Sequence, residues 1–465
     1  MIRKYISASA ITVVSSVLSK AIVFLQVAVL TRLTTTEEYG QFSLFLSYVG
    51  IATLIIGGSV SSSFGIAKRD FGRAYESYIS TTLGFSYLLV SVALLLYCFF
   101  CPSHSKLFWF FVIFHSFNLN ILTNYDVKNS FDFAYKKAAI VSLSSALLGF
   151  IACTVAVIVS DGNNKGSAAI VGIILSTTAV SLFCQLRLFQ TGKKLYEKKY
   201  WEYAIRNSFI LIPHNLSLVI LNQIDRIMIG ELLSKTFVAI YAAVYSLSVV
   251  ISILWTAIKK VWATWAYEKL KRRDIDKVRE VNTLLLLSML IFIFNYCFIT
   301  PEIIRVFLPK DYWEGTTIMA PILFGYFFSF LFSIFVNIEY FNGRKNLIVY
   351  GTVLSALVNI VSNYYLLPIY GYKISAYTTL LSYFILFFYH YSINAKNSYF
   401  SNVALWTTVA GLSLLLYIFQ ILIDNIIARY TMLILFDVFV LCILLRLARK
   451  KNLSILKIAK KQFRR

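Results

Sequence analysis

The sequence predicts an all-α polytopic membrane protein of about fourteen transmembrane helices, on the strength of its composition, the spacing of its apolar stretches and the placement of its basic residues. Of 465 residues, 59% are hydrophobic and only 14% charged, with a mean hydropathy of +0.73, outside the range of soluble domains. One membrane crossing takes roughly 20 apolar residues, so about fourteen crossings with short connections consume the whole chain. No soluble catalytic domain fits beside them. The formal net charge of +23 points to topology and not to nucleic acid, because the basic residues punctuate apolar runs instead of forming a stripe with interleaved aromatics.

Apolar stretches bounded by charged or Gly/Pro/Asn punctuation fall at 7–30, 40–65, 77–100, 107–127, 138–159, 167–189, 207–230, 236–258, 281–300, 316–341, 346–368, 373–393, 402–423 and 427–447. The first lacks a cleavage site and runs on to Leu30, so it reads as a retained span. With the amino terminus inside, 34 of the 44 Lys and Arg residues fall on the cytoplasmic side and eight outside, while Lys20 and Arg226 lie within spans. That asymmetry orients a multispanning chain and places both termini in the cytoplasm. The basic connection from Arg187 to Arg206 follows six spans. It divides the chain into a six-helix lobe at 1–190, a linker at 191–206, a second six-helix lobe at 207–396, two additional helices at 397–447 and a basic tail at 448–465. A weak internal repeat agrees with the division. Leu33-Thr34-Thr35-Thr36, leading to Phe42 and Ser47, resembles Leu232-Leu233-Ser234-Lys235, leading to Tyr241 and Ser246, at a constant offset of 199 residues. Internal repeats are common in secondary transporters, whose substrate sites lie at the repeat interface.

Several chemistries are excluded or weak. No phosphate loop is present, since Thr191-Gly192-Lys193-Lys194 lacks the upstream glycine. His104, His115, His214 and His390 lie in separate segments without metal-ligand spacing, so no metal or cofactor is expected. Cys98 and Cys101 form a C-x-x-C without the βαβ context of a redox motif. A membrane-bound polysaccharide polymerase is the leading enzymatic alternative, but it calls for a sizeable external loop that the sequence lacks.

Ionisable side chains at membrane depth are costly and default to functional hypotheses. Lys20 lies thirteen residues after Ser7, roughly 20 Å along a helix and near the bilayer centre. Ser9, Thr12, Ser16 and Lys20 follow helical spacing, as do Ser19 and Gln26. The polar side of the first span therefore lines a cavity or, alternatively, Lys20 forms an ion pair with another helix. On the seventh span Asn215, Asn222 and Asp225 or Arg226 form a second polar stripe. Glu339 lies near the cytoplasmic end of its span, at marginal depth, and Asp437 lies mid-span in the last. His115, Asn118, Asn337, Asn359 and Asn363 are also at depth, where hydrogen bonding to a neighbouring helix is the commoner role. The aromatic residues are assigned mostly to lipid-facing and interfacial positions.

Three segments carry a family resemblance. They are Leu30-Thr31-Arg32-Leu33 with Glu38-Tyr39-Gly40; Gln223-Ile224-Asp225-Arg226-Ile227-Met228-Ile229-Gly230 with Ala239-Ile240-Tyr241; and Asn337, Tyr340-Phe341, Gly343-Arg344-Lys345, Asn359, Asn363, Leu367-Pro368 and Tyr370-Gly371. In this order the chain resembles the Wzx-type flippases of lipid-linked O-antigen repeat units, in the polysaccharide branch of the MATE-like superfamily. It departs at Lys373-Ile374-Ser375-Ala376, where the family often has Gly-Ala-Ala for close helix packing.

The resemblance implies two six-helix MATE-like lobes facing a central cavity, two further helices, and alternating access in a bacterial inner membrane. The implied substrate is an undecaprenyl-diphosphate-linked oligosaccharide, with membrane lipids, an O-antigen polymerase and a chain-length regulator as partners. Such a substrate is anionic and rich in hydroxyls. Lys20, Asn118, Asn215, Asn222 and Arg226 are its candidate ligands. Asp225, then Asp437, then Glu339 are the candidate ion carriers. A multidrug antiporter of the same fold is the competing transport reading.

Single cysteines at Ser77, Asn129, Lys194 and Lys271 are expected to label from the cytoplasm, and those at Thr35, Ser103, Asn163 and Lys310 from outside. Labelling of Asn163 and Lys194 from one side would remove the sixth span and the two-lobe division.

Overall fold

A computed structural model describes residues 2–100, 106–209, 211–394 and 427–438. Its regular elements are helices: α1 Ile2–Leu33, α2 Thr36–Gly57, α3 Phe64–Phe71, α4 Tyr75–Phe100, α5 Lys106–Phe131, α6 Tyr135–Val159, α7 Lys165–Gly192 and α8 Lys198–Phe209 in the first part of the chain. They continue as α9 Ile212–Leu232, α10 Lys235–Ser248, α11 Val250–Lys271, α12 Ile275–Phe298, α13 Thr300–Phe307, α14 Thr316–Phe341, α15 Lys345–Tyr370 and α16 Ile374–Asn394. A further helical stretch covers 427–438.

The first twelve apolar stretches fall largely on helix. Among the described residues ten helices are long and apolar enough to cross a membrane, or eleven if α8 and α9, bent by 56° at their junction, form one span. α16 falls short because Tyr, Ser and Thr residues and His390 dilute its apolar content. The stretch 402–423 lies outside the described residues, as does the end of 427–447.

The chain divides into two compact units, Met1–Glu268 with Ile304–Asn394, and Lys269–Ile303 with Ala395–Arg465. In the larger unit α1 packs on α6, α6 on α7, and α4 and α5 on α7. Phe64, Tyr78, Ile79, Ile121 and Cys184 are at the centre of this packing. Separately, α15 packs on α9 and α16, and α16 on α14, around Leu221, Phe332, Ile348 and Leu386. The two sets meet where α2 crosses α9 and α10. In the smaller unit Phe294 and Phe298 of α12 pack on Leu433, and Arg429 pairs with Glu302.

The crossing of α2 and α10 gives the sequence repeat a physical meaning. Thr35 caps α2: its hydroxyl accepts from the Glu38 amide at 3.3 Å, and Glu38 Oε2 accepts from the Thr35 amide at 2.9 Å, a reciprocal capping box. Ser234, 199 positions later, caps α10 by accepting from the Phe237 amide at 3.4 Å. Glu38 also accepts from the Lys165 amide at 3.0 Å, which ties the start of α2 to the start of α7. The two capped turns press together at Gly40, where a Cβ would stand 1.9 Å from the Lys235 carbonyl oxygen. Only glycine allows backbones to approach so closely.

Gly40→Ala is therefore expected to destabilise the protein by at least the ~1–3 kcal/mol of ordinary overpacking, because the obstructing atom is backbone. Gly325→Ala in α14, whose added Cβ meets nothing closer than 3.5 Å, is expected to be neutral or stabilising. Thermal unfolding of the detergent-solubilised protein checks both; equal behaviour of the two variants contradicts the close-approach account.

Candidate substrate and ion site

Helix α9 begins with Pro213 in its first turn, where a missing amide proton is tolerated. From there it carries Asn222, Asp225 and Arg226 into the packed part of the larger unit. Asp225 is 1% exposed. Its carboxylate accepts from Tyr241 Oη at 2.7 Å on α10, Asn363 Nδ2 at 2.7 Å on α15 and Thr379 Oγ1 at 2.5 Å on α16. A second layer holds these donors. Asn363 Oδ1 accepts from Thr378 at 2.6 Å and Ser375 at 3.1 Å, and Asn359 Nδ2 donates to Thr379 at 3.3 Å. Hydroxyls thus join α15 to α16 despite the missing Gly-Ala-Ala.

Arg226 has no such set of ionic partners. It is buried, yet no carboxylate lies within 4 Å of it among the described residues. Its Nη1 donates to the Asn222 carbonyl at 2.9 Å and to Gln223 Oε1 at 2.7 Å, and its guanidinium sits 4.1 Å over the Tyr245 ring. Asn222 Oδ1 in turn accepts from Tyr245 Oη at 3.1 Å and Tyr383 Oη at 3.4 Å. Neutral partners keep the cation in place without cancelling its charge. Arginine stays protonated in any such setting.

The other expected residues are dispersed over the molecule. Lys20 is exposed on α1 beside exposed Ser16, and among the described residues no acidic group pairs with it. Ser15, Ser19 and Gln26 turn inward instead, with Ser19 bonded to Ser142 of α6 at 3.0 Å. The side chains of Ser9 and Thr12 lie outside the described residues. Asn118 is buried and donates to Thr178 of α7 at 3.0 Å and to the Phe114 carbonyl at 3.1 Å. Asn215 donates to Ser59, just beyond α2, at 3.3 Å. Asp437 accepts from Asn295 at 2.8 Å within the smaller unit.

Glu339 is not a surface residue of the protein, as its position near a span end would allow, but 0% exposed. Its Oε1 lies 2.9 Å from His390 Nδ1 and accepts from Asn394 Nδ2 at 2.6 Å. Asn222, Asp225 and Arg226 are therefore brought together, whereas Glu339 occupies a second polar cluster. Sequence reasoning missed Tyr241, Tyr245, Tyr383, Gln223 and His390. One signal was available: Ser375, Thr378, Thr379 and Ser382 form a hydroxyl stripe at helical spacing, all buried.

The arrangement of these helices is shared with solved membrane transporters. The structure is similar to lipid II flippase MurJ in an inward closed conformation, with a TM-score of 0.74 over 95% of this chain and 99% of that chain, at 14% identity. It is also similar to a multidrug resistance MATE family transporter in an inward-facing conformation, with a TM-score of 0.62 over 82% and 96% of the two chains, again at 14% identity. The polysaccharide biosynthesis protein family matches residues 7–263, and the chain belongs to that family. Protein 1 of the Lsg locus of Haemophilus influenzae is 26% identical over 372 residues, 76% of this chain and 89% of that protein. An uncharacterized membrane protein of the same organism is 24% identical over 293 residues, 61% of this chain and 70% of its own. The chain is thus a polysaccharide biosynthesis family protein that shares its fold with these two transporters.

Removing the hub of the α9 network strands its donors. Asp225→Ala is expected to cost about 3 kcal/mol or more, since each buried unsatisfied group costs ~1–3 kcal/mol. Thr379→Val alone should cost about 1 kcal/mol, and the double variant should lose little beyond Asp225→Ala, because the sites share one network. Additive losses in thermal unfolding would contradict the shared hub.

Proposed function

We propose that the protein flips an undecaprenyl-diphosphate-linked oligosaccharide, the O-antigen repeat unit, from the cytoplasmic to the periplasmic leaflet of a bacterial inner membrane. Alternating access between lobes 1–190 and 207–396, with 397–447 as additional helices, provides the route. The observation that carries this reading is Arg226, a buried guanidinium held by neutral partners and flanked by Asn222 and tyrosine hydroxyls. Such a site suits an anionic, hydroxyl-rich head group. A cavity for cationic drugs would more naturally offer free carboxylates, and the Asp225 carboxylate is already filled by three donors. MurJ, whose name gives lipid II as its cargo, aligns with 95% of this chain, against 82% for the inward-facing MATE transporter. Membership of the polysaccharide biosynthesis family and the Lsg-locus relative support the same substrate class.

Lys20 supplies a second cation, exposed on α1, with Asn118 and Asn215 as outer contacts. An O-antigen polymerase and a chain-length regulator are the proposed partners downstream. Coupling to a proton gradient is assigned first to Asp225, then to Asp437 and Glu339, as carboxylates at membrane depth.

Flipping of an undecaprenyl-diphosphate oligosaccharide in reconstituted vesicles tests the proposal. Arg226→Ala and Lys20→Ala are each expected to slow flipping about tenfold or more at unchanged protein abundance, the loss of one charge-assisted contact, while Lys20→Arg retains part of the rate. An imposed pH gradient should accelerate wild type and not Asp225→Asn. Full flipping by both alanine variants overturns the cation assignment, and efflux of cationic drugs without flipping favours the antiporter reading.

A further inference from the structure

The ends of α5, α6 and α7 that the sequence assigns to the cytoplasm enclose a cavity of about 270 Å³, away from the α9 cluster. Lys128 and Asn129 of α5, Lys137 of α6, and Arg187, Gln190 and Thr191 of α7 line it. Three cations from three helices thus converge on one space. Lys128 is the compensated one: it pairs with Asp132 at 2.8 Å and Glu76 at 3.4 Å, and Asp132 also takes Lys68 at 2.5 Å. Burial raises the Asp132 carboxyl, but hydrogen bonds from Lys128 and Lys68 outweigh it and hold the group below the usual carboxylate range, so it is charged at neutral pH. Lys137 and Arg187 have no carboxylate within 4 Å among the described residues. Arg187 instead lies 5.2 Å over the ring of Phe183.

Exposed apolar side chains stand on the same helices as the lining cations Lys137 and Arg187. Ile140 on α6, and Leu182, Phe183 and Leu186 on α7, are 64%, 54%, 46% and 61% exposed. These side chains lie within one to two turns of Lys137 and Arg187. A ligand here meets uncompensated cations and hydroxyl or amide groups at one end and hydrocarbon at the other. We infer that this cavity binds the phosphate head group of an anionic membrane lipid, with its acyl chains against Ile140, Leu182 and Leu186. Basic pockets between helices on the cytoplasmic side have the chemistry for such head groups. Arg187 supplies a planar donor fork that matches phosphate oxygens, and Lys137 a point charge. The inference is independent of what the protein carries.

The test uses the full chain purified in zwitterionic detergent and titrated with phosphatidylglycerol, phosphatidylcholine or sodium pyrophosphate, with apparent Kd read by native mass spectrometry. Phosphatidylglycerol is expected to bind more tightly than phosphatidylcholine. Lys137→Ala/Arg187→Ala should weaken it about tenfold or more, on the scale of two interfacial cations. Lys136→Ala/Lys199→Ala removes two exposed lysines that do not line the cavity and should change the affinity less than about twofold. Arg187→Lys, the variant least able to disturb folding, should give an intermediate loss. Equal losses in the two double variants overturn the proposal in favour of diffuse surface charge. Equal affinity for the two lipids, or pyrophosphate binding as tightly as phosphatidylglycerol, overturns the lipid assignment.

Discussion

A carboxylate taken out of water must recover its lost solvation from fixed donors, and Asp225 does so with one donor from each of α10, α15 and α16. That requirement sets the register of four helices at once. It also fixes the orientation of the next residue in the chain. Successive residues on a helix point roughly 100° apart, so once Asp225 is committed to its three donors Arg226 is turned toward a different set of neighbours. The helix α10 meets both. Tyr241 donates to the carboxylate and Tyr245, four residues on, lies under the guanidinium. An acid and a base adjacent in sequence are thereby kept from neutralising one another.

The separation has a chemical result. Paired directly, Asp225 and Arg226 would present a closed dipole to any ligand. Held apart, the acid is absorbed by hydroxyls and an amide, and the arginine keeps its charge among neutral partners. Glu339 obeys a different logic: with His390 and Asn394 it forms a cluster in which each titratable group has the other as neighbour, at complete burial.

Much of this is legible from spacing. The apolar runs locate the helices, Asn215, Asn222 and Asp225 or Arg226 mark the polar side of α9, and Asn359 and Asn363 bond helix to helix, the commoner role of such residues at depth. The tyrosines are not legible, because an aromatic residue in a membrane segment is usually interfacial or lipid-facing, and nothing in Tyr241 or Tyr383 distinguishes a hydroxyl aimed at a buried polar group. The burial of Glu339 escapes a reading by depth because distance from a helix end does not report coverage by neighbouring helices. In α1, helical spacing alone groups Ser19 and Gln26 with Lys20, whereas Ser19 and Gln26 face the interior and Lys20 is exposed.

The contact at Gly40 has a mechanical consequence. The backbones of α2 and α10 touch near the starts of both helices, and caps on both hold those ends firm. A contact of this kind acts as a fulcrum placed at one end of a lever. The 22 residues of α2 make an arm of roughly 33 Å. A tilt of about 10° around the fulcrum moves the far end by about 6 Å, at a helical rise of 1.5 Å per residue. Any such tilt would fall chiefly on the contacts near Gly57 and Ser59, where Asn120 of α5 and Asn215 of α9 meet the end of the arm.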